Sequence, residues 1–123
     1  HSDTALDEDP LAAIRSIYYY HAVTRGWGDI GYNLLVDRRG NVYEGRFGGE
    51  DVVGGHSLGY NEGTCGICLV GRFQDDAPTP EMARGLANAL AWVTARAGLD
   101  PFGEAALGDI PSLPVVCAHR DVN

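Results

Sequence analysis

The hydrophobic positions of the chain follow a strand period and a helix period. The strand period occurs near the middle of the chain. Two apolar runs, 32–36 and 42–44, flank the polar tetrad Asp37-Arg38-Arg39-Gly40. That pattern is typical of a β-hairpin with a short glycine-containing turn. Side chains alternate along a strand, and the first run is apolar on both of its faces. We therefore predict a hairpin at about 32–46 that is covered on both sides.

Helical periodicity precedes and follows this hairpin. Asp9-Pro10 has the form of an N-cap followed by proline at the first helical position, and it opens a stripe with helical spacing: Leu11, Ile14, Ile17, Tyr18 and His21. Thr79-Pro80 opens a second stripe: Met82, Leu86, Leu90, Val93 and Ala97. The sequence predicts helices at about 10–23 and 80–97.

Two further apolar runs predict strands at about 65–71 and 114–118, the last ending at His119. The segment 47–63 is rich in glycine and has no periodicity, so we expect a long loop of the kind that carries binding residues. Together these elements predict one α/β domain, residues 1–123 with its core in 10–123. Its central mixed β-sheet would carry helices on both sides.

Composition narrows the possible functions. With 123 residues, 45% hydrophobic and 21% charged, the chain has the composition of one globular domain. A formal charge of −8 argues against nucleic acid as a partner, because such a surface needs a basic stripe. No apolar run approaches the ~20 residues of a membrane span. Oligomeric state has no signature here.

Three cysteines raise the question of a metal or redox pair. Cys65 and Cys68 have the C-x-x-C spacing of zinc and redox sites. In a strand, however, positions three apart point to opposite faces, which disfavours a shared ion or a disulfide. We expect two reduced, unlinked, buried thiols, and a C-x-x-C redox protein is the less favoured alternative.

Five short blocks then occur in one order: 27–33 (WGDIGYN), 43–46 (YEGR), 55–57 (GHS), 66–67 (GI) and 119–122 (HRDV). In these blocks the chain resembles the peptidoglycan recognition protein and type 2 N-acetylmuramoyl-L-alanine amidase family, from about residue 12 to its end. The resemblance implies that family's fold, peptidoglycan (muramyl peptide) as partner, and a secreted or cell-wall location. It leaves the preferred stem-peptide type open.

The implied activity is zinc-dependent hydrolysis of the amide between the lactyl group of N-acetylmuramic acid and L-alanine. His119 matches the zinc-binding histidine of the family's His-Arg-Asp motif, and Asp121 is the candidate to orient its ring. The family's other two ligands, a histidine and a cysteine, would fall just before His1 and just after Asn123, with His1 itself as a minority alternative. The chain thus looks truncated at both ends, and we expect this segment alone to be inactive.

The resemblance also implies the remaining site residues. Tyr32 matches the tyrosine of the Gly-Tyr-Asn motif, whose phenol would donate a hydrogen bond to the developing oxyanion. His56, His21, Arg46 and Tyr43 would contact the substrate. Each has a plain structural alternative: a core aromatic for Tyr32, a solvated loop residue for His56 and a hydrogen-bonded core residue for His21. The alternative function is a non-catalytic peptidoglycan recognition module.

Overall fold

A computed structural model describes residues 1–2, 9–74 and 76–122. Its elements in chain order are helix α1 (Pro10–Tyr19), strands β1 (Leu34–Val36), β2 (Val42–Glu44) and β3 (Ile67–Leu69), helix α2 (Pro80–Ala97), and strands β4 (Glu104–Leu107) and β5 (Ile110–Pro114). A wide helical turn, Tyr20–Thr24, extends α1. Both predicted helices and the predicted hairpin are confirmed. Among the described residues, no helix has the length and hydropathy to cross a membrane.

Strand β1 is the centre of a three-stranded sheet with the order β2-β1-β3. It pairs antiparallel with β2, Leu35 opposite Tyr43, and parallel with β3, Leu35 opposite Cys68. The hairpin connection explains the first pairing. The parallel pairing requires the long crossover that the glycine-rich loop provides. The sheet is therefore mixed, as predicted.

Helices cover both faces of this sheet. On one face, Leu35 and Cys68 share a core cluster with Ala13 and Ile17 of α1. The side chains adjacent to Leu35 in β1 alternate to the other face, and α2 contacts all three strands. All three residues of β1 are consequently buried, which confirms the two-sided cover predicted for this run.

The hairpin turn rests directly on α2. Gly40, in the left-handed region at φ +83°, lies so close to the helix that a Cβ on Gly85 would come 2.5 Å from its carbonyl oxygen. Thr79, the N-cap of α2, accepts a hydrogen bond from the N–H of Met82 at 3.1 Å and donates one to the Arg38 carbonyl at 2.6 Å. The backbone of the hairpin turn is therefore in direct contact with the first turns of α2.

The predicted strand at 114–118 is wrong. β4 and β5 instead form a separate antiparallel hairpin, with Leu107 opposite Ile110 across a tight turn. Gly108 takes φ +54° in that turn, which favours local pairing upstream of the predicted run. Pro114, which has no N–H for a ladder, is the last residue of β5, and His119 lies on a separate 3-10 turn, His119–Asp121.

All three cysteines are free, which confirms the prediction that Cys65 and Cys68 are unlinked. Cys68 is buried in β3, whereas Cys65 is half-buried because the strand begins only at Ile67. Burial raises the pKa of both thiols, that of Cys65 to about 11, with a further contribution there from Glu50. Both thiols are therefore protonated at neutral pH, which disfavours a nucleophilic redox role for either cysteine.

We predict that Gly85→Ala lowers stability although alanine is the better helix former. Helix propensity alone would add about 1 kcal/mol, but the new methyl group meets backbone rather than a flexible side chain. Overpacking of this kind costs about 1–3 kcal/mol, so the midpoint of urea unfolding should fall. The matched control is Ala87→Gly at an exposed position of the same helix, which should lose about 1 kcal/mol through propensity. A raised midpoint for Gly85→Ala would mean that turn and helix are not in contact.

Candidate functional site

Three segments of backbone meet at the end of β1 that is opposite the hairpin turn. The N–H groups of Gly45 and Arg46 donate to the carbonyls of Asn33 and Tyr32 at 2.9 and 2.8 Å. The Gly55 N–H donates to the Gly31 carbonyl at 2.8 Å. Segment 31–33 therefore fixes both the end of the hairpin and the glycine-rich loop, and these segments carry three of the predicted site residues, Tyr32, Arg46 and His56.

Arg46 lies between the two histidines of this region. Its Nε donates to the Ile30 carbonyl at 3.0 Å, and its guanidinium lies against Gly55, where a Cβ would come 3.2 Å from Nη2. The positive charge of Arg46 contributes to lowering the pKa of both His21 and His56. One fixed guanidinium thus acts on both imidazoles.

His21 is buried behind the site and is hydrogen-bonded. Its Nδ1 accepts from the Gly31 N–H at 3.0 Å, and its ring packs at 4.8 Å from Trp27 and 5.4 Å from Tyr32, centroid to centroid. Burial, followed by the charges of Arg25 and Arg46, lowers its pKa. Because Nδ1 is an acceptor, the neutral ring carries its proton on Nε2. Its position fits a residue that supports the site wall.

His56 is half-buried in the glycine-rich loop rather than solvated. Its ring lies so close to Gly66 that a Cβ there would come 2.4 Å from the imidazole. Its Nε2 is enclosed and has no hydrogen-bond partner among the described residues. Burial, then His119 and Arg46, lowers the pKa of His56. Within the loop, Asn61 Oδ1 accepts from the N–H groups of His56 and Ser57 at 2.9 and 2.8 Å.

His119 lies exposed on its short turn, near enough to His56 to affect that residue's pKa. The prediction assigned the carboxylate of Asp121 to the ring of His119. In the structure, Asp121 Oδ2 accepts a hydrogen bond from the Ala118 N–H at 2.7 Å, so this carboxylate closes its own turn. The two imidazoles are neighbours, although they come from segments more than sixty residues apart.

Tyr32 is half-buried beside His21. Burial raises the pKa of Tyr32 to about 12, and the Cys68 thiol adds to the shift. The phenol is therefore a proton donor at neutral pH, which is the state that oxyanion stabilisation needs. Its hydroxyl donates to the backbone carbonyl of His1 at 3.4 Å, a long and weak bond.

Tyr43 lies apart from the other predicted site residues. It packs on the core cluster, and its hydroxyl donates to Asp37 Oδ2 at 2.8 Å at the turn end of the hairpin. Burial alone would raise the pKa of Asp37, but hydrogen bonds from Asn41, Tyr43 and the backbone lower it. The structure thus brings together Tyr32, His21 and Arg46, joins His56 and His119 to them, and leaves Tyr43 at the opposite end of β1.

The described residues do not fit a zinc site by themselves. In 1–2, 9–74 and 76–122, no three His, Cys, Asp or Glu side chains are grouped so that they could bind one metal ion. His119 and His56 supply two imidazoles, and Cys68 is buried in β3. The ring of His1 packs edge-on against Phe73 at 6.4 Å, which gives no support to His1 as a ligand.

Two asparagines at this site were not predicted from the sequence. Asn61 orients the backbone of His56, and Asn33 is fully buried within the apolar run that becomes β1. The available signal was a single polar residue inside an apolar strand, since such a group is retained only where its hydrogen bonds are satisfied. That signal shows that the buried residue has hydrogen-bond partners, but it does not identify them.

We predict that His21 and His56 both titrate below the ordinary imidazole value of about 6.5. Protonation of His21 would place a second donor against the Gly31 N–H. The unfolded chain then binds these protons more readily than the folded one, so stability should fall as the pH drops below about 6.5. Imidazole NMR signals, assigned with His21→Gln and His56→Gln, give the two midpoints, and a midpoint at or above the ordinary value for either ring would contradict the geometry.

Comparison with known proteins identifies the family of this chain. A family model described as N-acetylmuramoyl-L-alanine amidase matches residues 2–123. The human N-acetylmuramoyl-L-alanine amidase is 43% identical over 88 residues, which are 72% of this chain and 15% of the human protein. The chain therefore spans only a small part of that relative.

Two solved structures share the fold. Peptidoglycan recognition protein-LE in complex with tracheal cytotoxin, a monomeric diaminopimelic acid-type peptidoglycan, superimposes with a TM-score of 0.74 at 31% identity, covering 94% of this chain and 71% of that one. A tyrosine-to-phenylalanine mutant of Drosophila PGRP-LB in complex with tracheal cytotoxin gives 0.75 at 28% identity, covering 98% and 64%. With a family model along nearly its whole length, the chain belongs to the N-acetylmuramoyl-L-alanine amidase family, which includes the peptidoglycan recognition proteins.

Proposed function

We propose that this domain binds the muramyl-peptide units of peptidoglycan at the site formed by Tyr32, Arg46 and His56. The observation that carries the proposal is the fixed guanidinium of Arg46, which lies against the glycine-rich loop that also carries His56. Muramyl peptides offer carboxylates, which guanidinium binds with charge-assisted hydrogen bonds. They also offer amides, and a neutral imidazole can donate a hydrogen bond to an amide carbonyl or accept one from an amide N–H.

The surrounding electrostatics require that an anionic ligand be held by local contacts. The chain as a whole carries a formal charge of −8, so distant charges repel an acidic stem peptide. Local contacts must therefore provide the attraction, and the two imidazoles nearest Arg46 have lowered pKa values and do not add charge at neutral pH. Specific recognition by Arg46 fits this setting better than non-specific attraction.

The relatives support the same ligand class. Peptidoglycan recognition protein-LE and Drosophila PGRP-LB both form complexes with tracheal cytotoxin. Their identities with this chain, 31% and 28%, extend over almost all of it. Tracheal cytotoxin is accordingly the first probe for this domain, and a secreted or cell-wall location follows as part of the proposal because that is where peptidoglycan lies.

Amide hydrolysis is the second candidate, favoured by the protonated phenol of Tyr32 beside the histidines. The amidases of this family depend on zinc, and His119 is the residue proposed to bind it. The other ligands would come from elsewhere in the whole protein, because the described residues do not complete a site. Tyr32 would donate a hydrogen bond to the oxyanion, and residues 1–123 alone would bind ligand without cleaving it.

Calorimetric titration of tracheal cytotoxin into residues 1–123 tests the binding proposal. Arg46→Gln should weaken affinity by about 10- to 100-fold, because a hydrogen bond to a charged group contributes about 1.5–3 kcal/mol. Arg84→Gln, the same change at an exposed position of α2, is the matched control and should bind like wild type. Equal affinity for Arg46→Gln, or no binding by the folded wild type at millimolar ligand, would contradict the proposal.

Tyr32→Phe in the whole protein tests the catalytic candidate. Loss of one donor to an oxyanion lowers turnover by about 10²-fold, whereas affinity for muramyl peptide and zinc content should stay near wild type. Turnover is measured as released stem peptide and zinc by atomic absorption. A whole protein that binds zinc and muramyl peptide but leaves the peptide uncut would favour the recognition module.

A further inference from the structure

Asn33 is the one polar residue in a run of apolar positions, and it is completely buried, with 0% of its surface exposed. Enclosing a primary amide costs free energy unless its donors and its acceptor all find partners. An aliphatic side chain at this position would satisfy the apolar pattern of the strand at no such cost. The presence of asparagine therefore calls for an explanation in terms of its hydrogen bonds.

The side-chain amide of Asn33 is used on both sides. Its Nδ2 donates to the carbonyls of Gly49 and Val52 at 2.9 and 2.8 Å. Its Oδ1 accepts from the N–H of Gly66 at 2.8 Å. Asparagine is the residue that offers two donors and an acceptor on so short a side chain.

The backbone of Asn33 bonds to the same region. Its N–H donates to the Gly66 carbonyl, and its carbonyl accepts from the Gly45 N–H, each at 2.9 Å. Five hydrogen bonds from one residue thus reach Gly45, Gly49, Val52 and Gly66. These four positions divide the loop after the hairpin into segments whose ends are all fixed to the same strand residue.

The proposed ligand contacts lie within those segments. Arg46 is between Gly45 and Gly49, and His56 is between Val52 and Gly66. A Cβ on Gly54 would come 2.8 Å from Asn33 Oδ1, so the loop closes directly onto the amide without a gap. The relative position of Arg46 and His56 consequently depends on the amide of Asn33.

We propose that Asn33 is a positioning residue for muramyl-peptide binding: its amide fixes both segments of the 45–66 loop so that Arg46 and His56 face one ligand. This inference rests on the proposed function of the site. Asn33 itself is enclosed and touches no ligand, so it acts only through the two residues that it positions.

Asn33→Asp is the sharpest test because it replaces the donor Nδ2 by an oxygen acceptor while the shape of the side chain stays nearly the same. A carboxylate keeps the acceptor for the Gly66 N–H but turns lone pairs toward the Gly49 and Val52 carbonyls. We expect at least about 10-fold weaker binding of tracheal cytotoxin. In the free protein, amides of the 49–66 loop should exchange with deuterium faster, while those of β1 and β2 keep their protection.

Two controls separate positioning from a general loss of stability. Asn88→Asp makes the same change at an exposed position of α2 and should bind and exchange like wild type. Gly85→Ala destabilises the fold away from the loop and should retain affinity at a temperature where it is fully folded. If Asn33→Asp does not fold, Asn33→Ser supplies a neutral variant that loses hydrogen bonds to the loop, with the same expectations.

The outcomes are distinct. Unchanged loop exchange in a folded Asn33 variant would overturn the positioning role whatever the ligand does, and so would an equal loss of affinity in Gly85→Ala. Faster loop exchange confined to 49–66 with weakened binding supports the inference. Faster loop exchange in a protein whose wild type binds no tracheal cytotoxin would overturn the proposed function and leave Asn33 as an anchor of the loop alone.

Discussion

The enclosure of β1 is the constraint on which the rest of the structure depends. This strand has partners on both edges and a helix over each face, so its residues must be apolar or have all their hydrogen bonds satisfied. Two polar residues border it, Asn33 at one end and Asp37 at the other, and both are almost inaccessible. Each is completely bonded, and each organises the segments around its own end of the strand.

The two ends of β1 therefore have different roles. At Asp37, a buried carboxylate accepts hydrogen bonds from the backbone of the hairpin turn. Gly40 of this turn packs against the backbone of α2. At Asn33, the side-chain amide forms hydrogen bonds to the loop that carries Arg46 and His56. Tyr43 belongs to the first group because its hydroxyl bonds to Asp37, although its motif places it beside residues of the second. Position along the strand, rather than neighbourhood in the sequence, decides which end a residue serves.

Elements with local sequence signals were predictable, whereas features that depend on distant contacts were not. Both helices and the hairpin were predictable because caps, helical stripes and a glycine turn are local signals. The strand at 114–118 was not, because the Gly108 turn and Pro114 favour a local hairpin that the apolar run alone does not reveal. Of the residues that the resemblance assigned to the site, the structure brings Tyr32, Arg46 and His21 together. Asn33 was not predicted, because its contacts reach backbone groups as many as 33 residues away.

The proposed ligand contacts and the proposed zinc ligand lie on different parts of this fold. The hydrogen bonds and close contacts described above for Arg46, His21 and the ring of His56 come from the chain between residues 21 and 66, anchored on a buried strand. His119, by contrast, lies on an exposed three-residue turn, closed by the carboxylate of Asp121 and separated from α2 by a hairpin outside the main sheet. A change in that turn would alter the proposed zinc ligand while the buried strand keeps the proposed ligand contacts in place. This separation gives a physical reason why one fold can serve both amidases that cut peptidoglycan and proteins that only recognise it.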